Sequence, residues 1–174
     1  MNFHRATLWR ARRTWLTGGF LLIAGCQMDK DSLLSRHMSP DRRTEAKERW
    51  DGVRGEVKLQ LAEEHLAAGR LGEAEKVLEQ ALGMAPRNPK VFILATRLRL
   101  EQGQLALARD AVTRAATMTA NDPTIEYLQG IIAERYGDLP RALQHYTSAA
   151  CMAPNISAYV LAEGETLIAM DQPA

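Results

Sequence analysis

The sequence predicts an all-α fold: a helical solenoid of three repeats and a partial fourth, behind a cleaved N-terminal signal. Two observations predict it. The first is self-similarity at a spacing of 34 residues. Gly137, Ala142, Ala149 and Pro154 are preceded one period earlier by Gly103, Ala108 and Ala115, and two periods earlier by Gly69, Ala74, Ala81 and Pro86. A fixed period marks a stack of one supersecondary unit, which cannot bury its apolar face alone. The second is composition. Of 174 residues, 46% are hydrophobic but only 6% aromatic. The core must therefore be built from Ala, Leu, Ile, Val and Met, which suits closely packed helices.

Charge separates the N-terminus from the rest. The formal net charge is +1, but residues 1–25 carry Arg5, Arg10, Arg12 and Arg13 and no acid. Removing those four from the 22 basic residues leaves 18 against 21 acidic ones, a net of −3. A weakly acidic body gives no electrostatic reason to expect nucleic acid.

Residues 1–25 read as an export signal. A basic segment ends at Arg13, an apolar stretch runs from Trp15 to Ala24, and small Ala24 and Gly25 precede Cys26. Such a stretch is too short to span a bilayer as a stable helix. Ile23-Ala24-Gly25-Cys26 resembles the lipobox of bacterial lipoproteins. The resemblance implies that the Cys26 thiol takes a diacylglyceryl group (with palmitate-class chains), that cleavage falls before it, and that it becomes the lipidated N-terminus. More than one acyl chain makes an anchor stable where a single chain is marginal. Gln27, where lipoproteins of the enteric inner membrane often carry Asp, favours the outer membrane. The expected location is a lipid-anchored one facing the periplasm of a bacterial cell envelope. Arg12-Arg13 faintly resembles a twin-arginine signal and reads better as part of an ordinary basic region.

Residues 26–39 then form the lipidated cysteine and a flexible tether. Residues 27–39 mix charge, serine and scattered apolar residues without period, and reach about 40 Å fully extended. Ser39-Pro40-Asp41 reads as a helix start, with Ser39 as N-cap and Pro40 at the first helical position. Over 40–54 a capping helical segment is expected. Trp50, Val53 and Val57 share one face of it, Gly52 and Gly55 weaken it, and its role is to cover the open end of the first repeat.

The units themselves run 55–88, 89–122 and 123–156, with a partial fourth over 157–174. Numbered within each unit, position 8 holds Ala62, Thr96, Gly130 and Gly164. Position 15 holds Gly69, Gly103 and Gly137, where a glycine at φ > 0 ends the first helix. Position 17 holds Leu71, Leu105 and Leu139. Small residues recur at position 20 (Ala74, Ala108, Ala142) and position 27 (Ala81, Ala115, Ala149). Position 24 holds Leu78, Val112 and Tyr146. Met84, Met118 and Met152 at position 30 read as flexible gap-fillers. Position 32 holds Pro86, Ala120 and Pro154, so the exit turn of the second unit is the looser one. This pattern resembles the tetratricopeptide repeat (TPR), a 34-residue helix-turn-helix. The usual aromatics are largely missing. Position 4 holds Lys58, Phe92, Glu126 and Val160, and position 11 holds His65, Arg99, Ala133 and Leu167. The fourth unit stops after its first helix, over 157–170. Either that helix caps the stack, solvated by Glu163 and Glu165, or the chain is a shortened relative of a longer protein.

The resemblance implies a concave groove lined by the first helices and a protein or peptide partner within it. Carried over by position, the groove residues are Leu59, Ile93, Tyr127 and Leu161 at position 5. Glu63, Arg97 and Ile131 stand at position 9 and Leu100 at position 12. The apolar position-5 column reads either as an exposed contact stripe for an amphipathic segment or as packing between helices. Chaperone-binding TPRs clamp a C-terminal carboxylate with Lys and Asn in the groove. Here position 5 has no Lys and position 9 no Asn.

No catalytic, metal or cofactor site is expected. His4, His37, His65 and His145 fall in separate segments, and there is no phosphate loop, zinc spacing or nucleophile elbow. Cys151 reads as a small packed residue rather than as a thiol that pairs with another chain in an oxidising periplasm. By resemblance to TPR lipoproteins, the expected function is a non-enzymatic scaffold anchored to a bacterial membrane, serving the assembly of a pilus, secretion or adherence complex. The alternative is an adaptor that recruits a peptidoglycan hydrolase or synthase.

Overall fold

The computed structural model describes residues 40–171. The signal over 1–25, Cys26, the tether, Ser39 and the turn over 172–174 lie outside the described residues. Those described form seven helices and no strand: α1 Pro40–Ala67, α2 Leu71–Met84, α3 Pro89–Glu101, α4 Leu105–Met118, α5 Pro123–Arg135, α6 Leu139–Met152 and α7 Ser157–Asp171. Three antiparallel pairs stack in order, and α7 packs on α6 as a first helix without a second. The first helices of successive pairs also touch, α1 with α3 and α3 with α5. That makes them the inner row of the stack.

The turns explain the period. After α1, α3 and α5 the chain passes through Gly69, Gly103 and Gly137 at φ of +72°, +71° and +79°. At each turn the glycine N–H reaches back three residues, and the next N–H bonds the carbonyl five residues back. Gly137 N bonds Glu134 O at 2.8 Å and Asp138 N bonds Ala133 O at 3.0 Å. This is the left-handed C-cap that a side chain disfavours. The other turns start helices. Asn88 and Asp122 accept from the backbone N–H groups of Lys90 and Thr124, with Pro89 and Pro123 next in line. The second exit turn lacks its proline and instead places Asn121 at φ of +57°.

The small-residue columns form the core. Ala81, Ala108, Ala115, Ala142 and Ala149 are wholly inaccessible, and Ala74 nearly so. Each allows a close helix approach that a longer side chain would prevent. Positions 8 and 24 are matched in size across each pair. Ala62 goes with Leu78, Thr96 with Val112, and Gly130 with Tyr146, all of them buried. Thr96 is accommodated because its hydroxyl donates to the Phe92 carbonyl at 2.8 Å. Among the described residues no buried side-chain polar atom lacks a partner.

Three expectations are corrected. The capping segment over 40–54 is not separate: α1 runs through residue 55 unbroken. Gly55 does not weaken it by chance, since a Cβ there would meet the Ala85 Cβ at 2.9 Å. Nor does the Trp50 face cover the stack. Trp50, Val53 and Val57 are 62%, 56% and 62% exposed. Second, Met118 and Met152 are exposed and fill no gap between units. Third, Cys151 is exposed with a free thiol, and is not a packed residue.

Candidate functional site

The inner faces of α1, α3, α5 and α7 carry the candidate groove residues, and the structure sorts them. Leu59 is 3% exposed and belongs to the core between the first two pairs. Leu100 is likewise buried, in the core between the second and third pairs. Both are thereby removed from the contact surface. Ile93 and Ile131 are half-buried and pack against the same second core. Tyr127 is half-buried between two clusters, one around Tyr146 and one around Tyr159. Glu63 and Arg97 are exposed on the inner side, and Leu161 is 61% exposed. The position-5 column is thus closed at Leu59, half-open at Ile93 and Tyr127, and open to solvent at Leu161.

The inner surface that remains is an apolar floor with charged walls. Its floor is the half-buried part of Ile93, Tyr127 and Ile131. At the α1 end, Lys90 Nζ bonds Glu56 Oε1 at 2.7 Å, and Asn88 Nδ2 donates to the other oxygen at 3.2 Å. The Lys90 bond, before all else, holds the Glu56 carboxyl below the ordinary carboxylate value. Both partners are well exposed, so this bridge positions side chains and adds little stability. It walls a recess of about 390 Å³ with Glu56, Val57, Leu59, Gln60 and Glu63.

At the α5 end the floor is aromatic. The Tyr127 ring lies 4.9 Å from that of Tyr159 and 5.6 Å from that of Tyr146, tilted in both cases. Such pairs add about 0.5–1.5 kcal/mol each beyond their buried area. The Tyr146 hydroxyl donates to Glu134 Oε2 at 2.6 Å. Burial first, and then Glu134, push that hydroxyl well above the ordinary tyrosine value. Burial likewise raises Tyr127.

The sign of the pH effect follows. A tyrosine raised in the folded state contributes stability that is present below the unfolded value of 10.0 and is lost as pH rises past it. Alkali should therefore unfold the chain as Tyr146 is forced to ionise beside Glu134. Tyr146→Phe should hold its helicity to higher pH than the native chain. Circular dichroism against pH reads this, and an unchanged alkaline midpoint would sink the idea.

Two polar ties were missed by sequence reasoning. Glu126 takes the position of a usual aromatic and bonds His145 Nδ1 at 2.9 Å, joining α5 to α6. Arg99 takes the other and reaches Glu75 at 2.7 Å, with Gln102 donating to the same carboxylate at 3.1 Å. No signal in the sequence links residues so spaced. At these two positions a polar tie stands where the usual aromatic would pack. Thr147 and Glu163 make a comparable tie between α6 and α7 at 2.7 Å.

No group of His, Cys, Asp and Glu able to hold a metal occurs among the described residues. No described helix is long and apolar enough to cross a membrane.

The geometry matches known proteins in fold. A family model described as tetratricopeptide repeat matches residues 65–132. No curated protein matches the chain by sequence. Among solved structures, the first TPR of Spaghetti (RPAP3), bound to the HSP90 peptide SRMEEVD, is similar with a TM-score of 0.61. It is 14% identical and covers 68% of this chain and 94% of its own. The pilF protein of Pseudomonas aeruginosa has a TM-score of 0.61 at 17% identity. It covers 67% of this chain, which spans only 53% of pilF. The Yersinia enterocolitica type III secretion chaperone SycD, in complex with a peptide of the translocator YopD, has a TM-score of 0.58 at 17% identity. The match covers 67% of this chain and 94% of SycD.

Proposed function

We propose, for a chain that carries the tetratricopeptide-repeat fold, that it is a non-enzymatic protein-binding scaffold. Its ligand is an apolar or amphipathic segment of a partner, lying along the inner row of first helices. The observation that carries this is the apolar floor of Ile93, Tyr127 and Ile131 between charged walls of Glu63, Arg97 and Glu134. A ligand anchors apolar side chains in such a floor and gains orientation from the walls. The fold is also that of structures solved with peptides, the HSP90 peptide in one and the YopD peptide in another. The lack of Lys at position 5 and Asn at position 9 disfavours a C-terminal carboxylate clamp.

The lipobox resemblance supports a scaffold held on a bacterial membrane through lipid on Cys26, on the periplasmic side and with the outer membrane favoured. In that setting it serves the assembly of an envelope complex of the pilus, secretion or adherence kind. The test is photocrosslinking in cells from position 131, whose side chain is half-buried on the floor. One abundant envelope protein should be captured. Equal capture from exposed position 109 on α4 would remove the groove, and capture of a peptidoglycan hydrolase or synthase would move the scaffold to cell-wall enzymes.

A further inference from the structure

The described stack begins and ends with an uncovered apolar face. α1 has two apolar faces on opposite sides. Gly55, Leu59, Ala62 and Leu66 turn toward α2 and the core. Trp50, Val53, Val57 and Leu61, spaced by three and four residues, make a second stripe, and all four are exposed. At the other end, α7 exposes Val160, Leu161, Leu167 and Ile168, the last at 63%. Val160, Leu161 and Ile168 border an open hollow that Gly164 and Glu165 also line.

The third pair shows what belongs on α7. Gly130, at position 8 of α5, receives the Tyr146 ring of α6; a Cβ at Gly130 would lie 2.4 Å from that ring. Gly164 is position 8 of α7, and nothing lies within 4 Å of where its Cβ would be. The site for a second helix with a large side chain is therefore formed and open. The start of α1 has the right length. α1 has 28 residues where α3 and α5 have 13, and the surplus is about one second helix, each of which has 14. That surplus carries Trp50.

Charge selects the pairing. α7 carries Glu163, Glu165 and Asp171 and no Lys or Arg. Two α7 helices crossing antiparallel at Gly164 would set Glu163 of one copy against Glu165 of the other, a like-charge contact. The surplus of α1 brings Lys47, Arg49 and Arg54 on either side of Trp50. It also carries Arg42 and Arg43 and the acids Asp41, Glu45, Glu48 and Asp51; five bases against four acids leave a net of +1, too little for strong attraction to an anionic lipid surface.

We propose that copies of this chain associate head to tail, the start of α1 in one copy lying on α7 of the next, with Trp50 over Gly164. It would stand against α7 as α6 stands against α5. The contact is heterologous, so copies add in an open row or close into a ring, and do not pair as a two-fold dimer.

Sedimentation velocity of the full chain in density-matched detergent tests this. The native chain should grow in mass with concentration beyond a dimer. Trp50→Glu and Ile168→Glu, both at exposed positions, should each remain monomeric with unchanged helicity. Mixed in equal amounts they should form a dimer and stop, because one intact head meets one intact tail. Gly164→Trp, filling the hollow from the α7 side, should arrest growth in the same way. A native chain that stays monomeric up to roughly 1 mM overturns the proposal. So does self-pairing of either charged variant alone. Loss of binding to phosphatidylglycerol vesicles in Trp50→Glu, with the native chain monomeric, would assign the stripe to a membrane and overturn it too.

Discussion

Gly130→Ala should be among the most damaging single substitutions in the described chain. In an exposed helix interior, Gly→Ala stabilises by roughly 1 kcal/mol through backbone entropy. Here the added methyl would sit 2.4 Å from Cε1 and 2.5 Å from Cδ1 of Tyr146, a separation that atoms do not tolerate. The ring has nowhere to go. Tyr146 is 1% exposed, its hydroxyl is tied to Glu134, and Tyr127 packs on it. Overpacking of a rigid core costs typically 1–3 kcal/mol and more when the neighbour cannot move. We expect a net loss of roughly 3 kcal/mol and a fall in Tm of roughly 10 °C. Tyr146→Leu alone should also destabilise, by leaving a cavity over Gly130. The double variant Gly130→Ala/Tyr146→Leu recreates the Ala62 and Leu78 combination of the first pair and should recover most of the stability. Thermal unfolding of the four chains gives the coupling directly. Additive losses in the double variant would refute the size match.

That size match was half legible. The sequence shows both columns, Ala-Thr-Gly-Gly at position 8 and Leu-Val-Tyr at position 24, but not that one side chain fills what the other omits. What could be read best were features that any chain of this kind must satisfy locally. A left-handed C-cap needs glycine, so Gly69, Gly103 and Gly137 announce their turns. Close helix approach needs small volume, so the alanine columns announce the core. Features set by three elements at once were not legible. Leu59, Ile93, Tyr127 and Leu161 share a column, but the first is buried, the next two are half-buried and the last is exposed. The difference lies in what stands beside them, since no described helix packs beyond α7 to cover Leu161. The weakening expected at Gly55 missed its role for a related reason. Propensity counts glycine against a helix, while Gly55 is where α1 meets the end of α2.

Cys26→Ser should convert the protein from membrane-bound to soluble or uncleaved. The expectation rests on four residues, Ile23-Ala24-Gly25-Cys26, after a basic and then apolar segment. A serine hydroxyl is a far weaker nucleophile than a thiol, so no thioether-linked diacylglyceryl group should form. Without it the lipoprotein cleavage has no substrate. Each buried methylene contributes about 0.8 kcal/mol to anchoring, and one myristoyl chain alone gives only marginal binding. Two or three chains make release negligible, so the change should be close to all or none. Labelled palmitate should enter the native chain and not the variant, and the native chain should leave the membrane fraction only with detergent. The full chain is needed because it carries Cys26; no described helix is long and apolar enough to cross a membrane. If labelled palmitate still enters Cys26→Ser, the anchor lies elsewhere. If the native chain is unlabelled and leaves the membrane on washing with salt, there is no lipid anchor, and the groove must find its partner from solution.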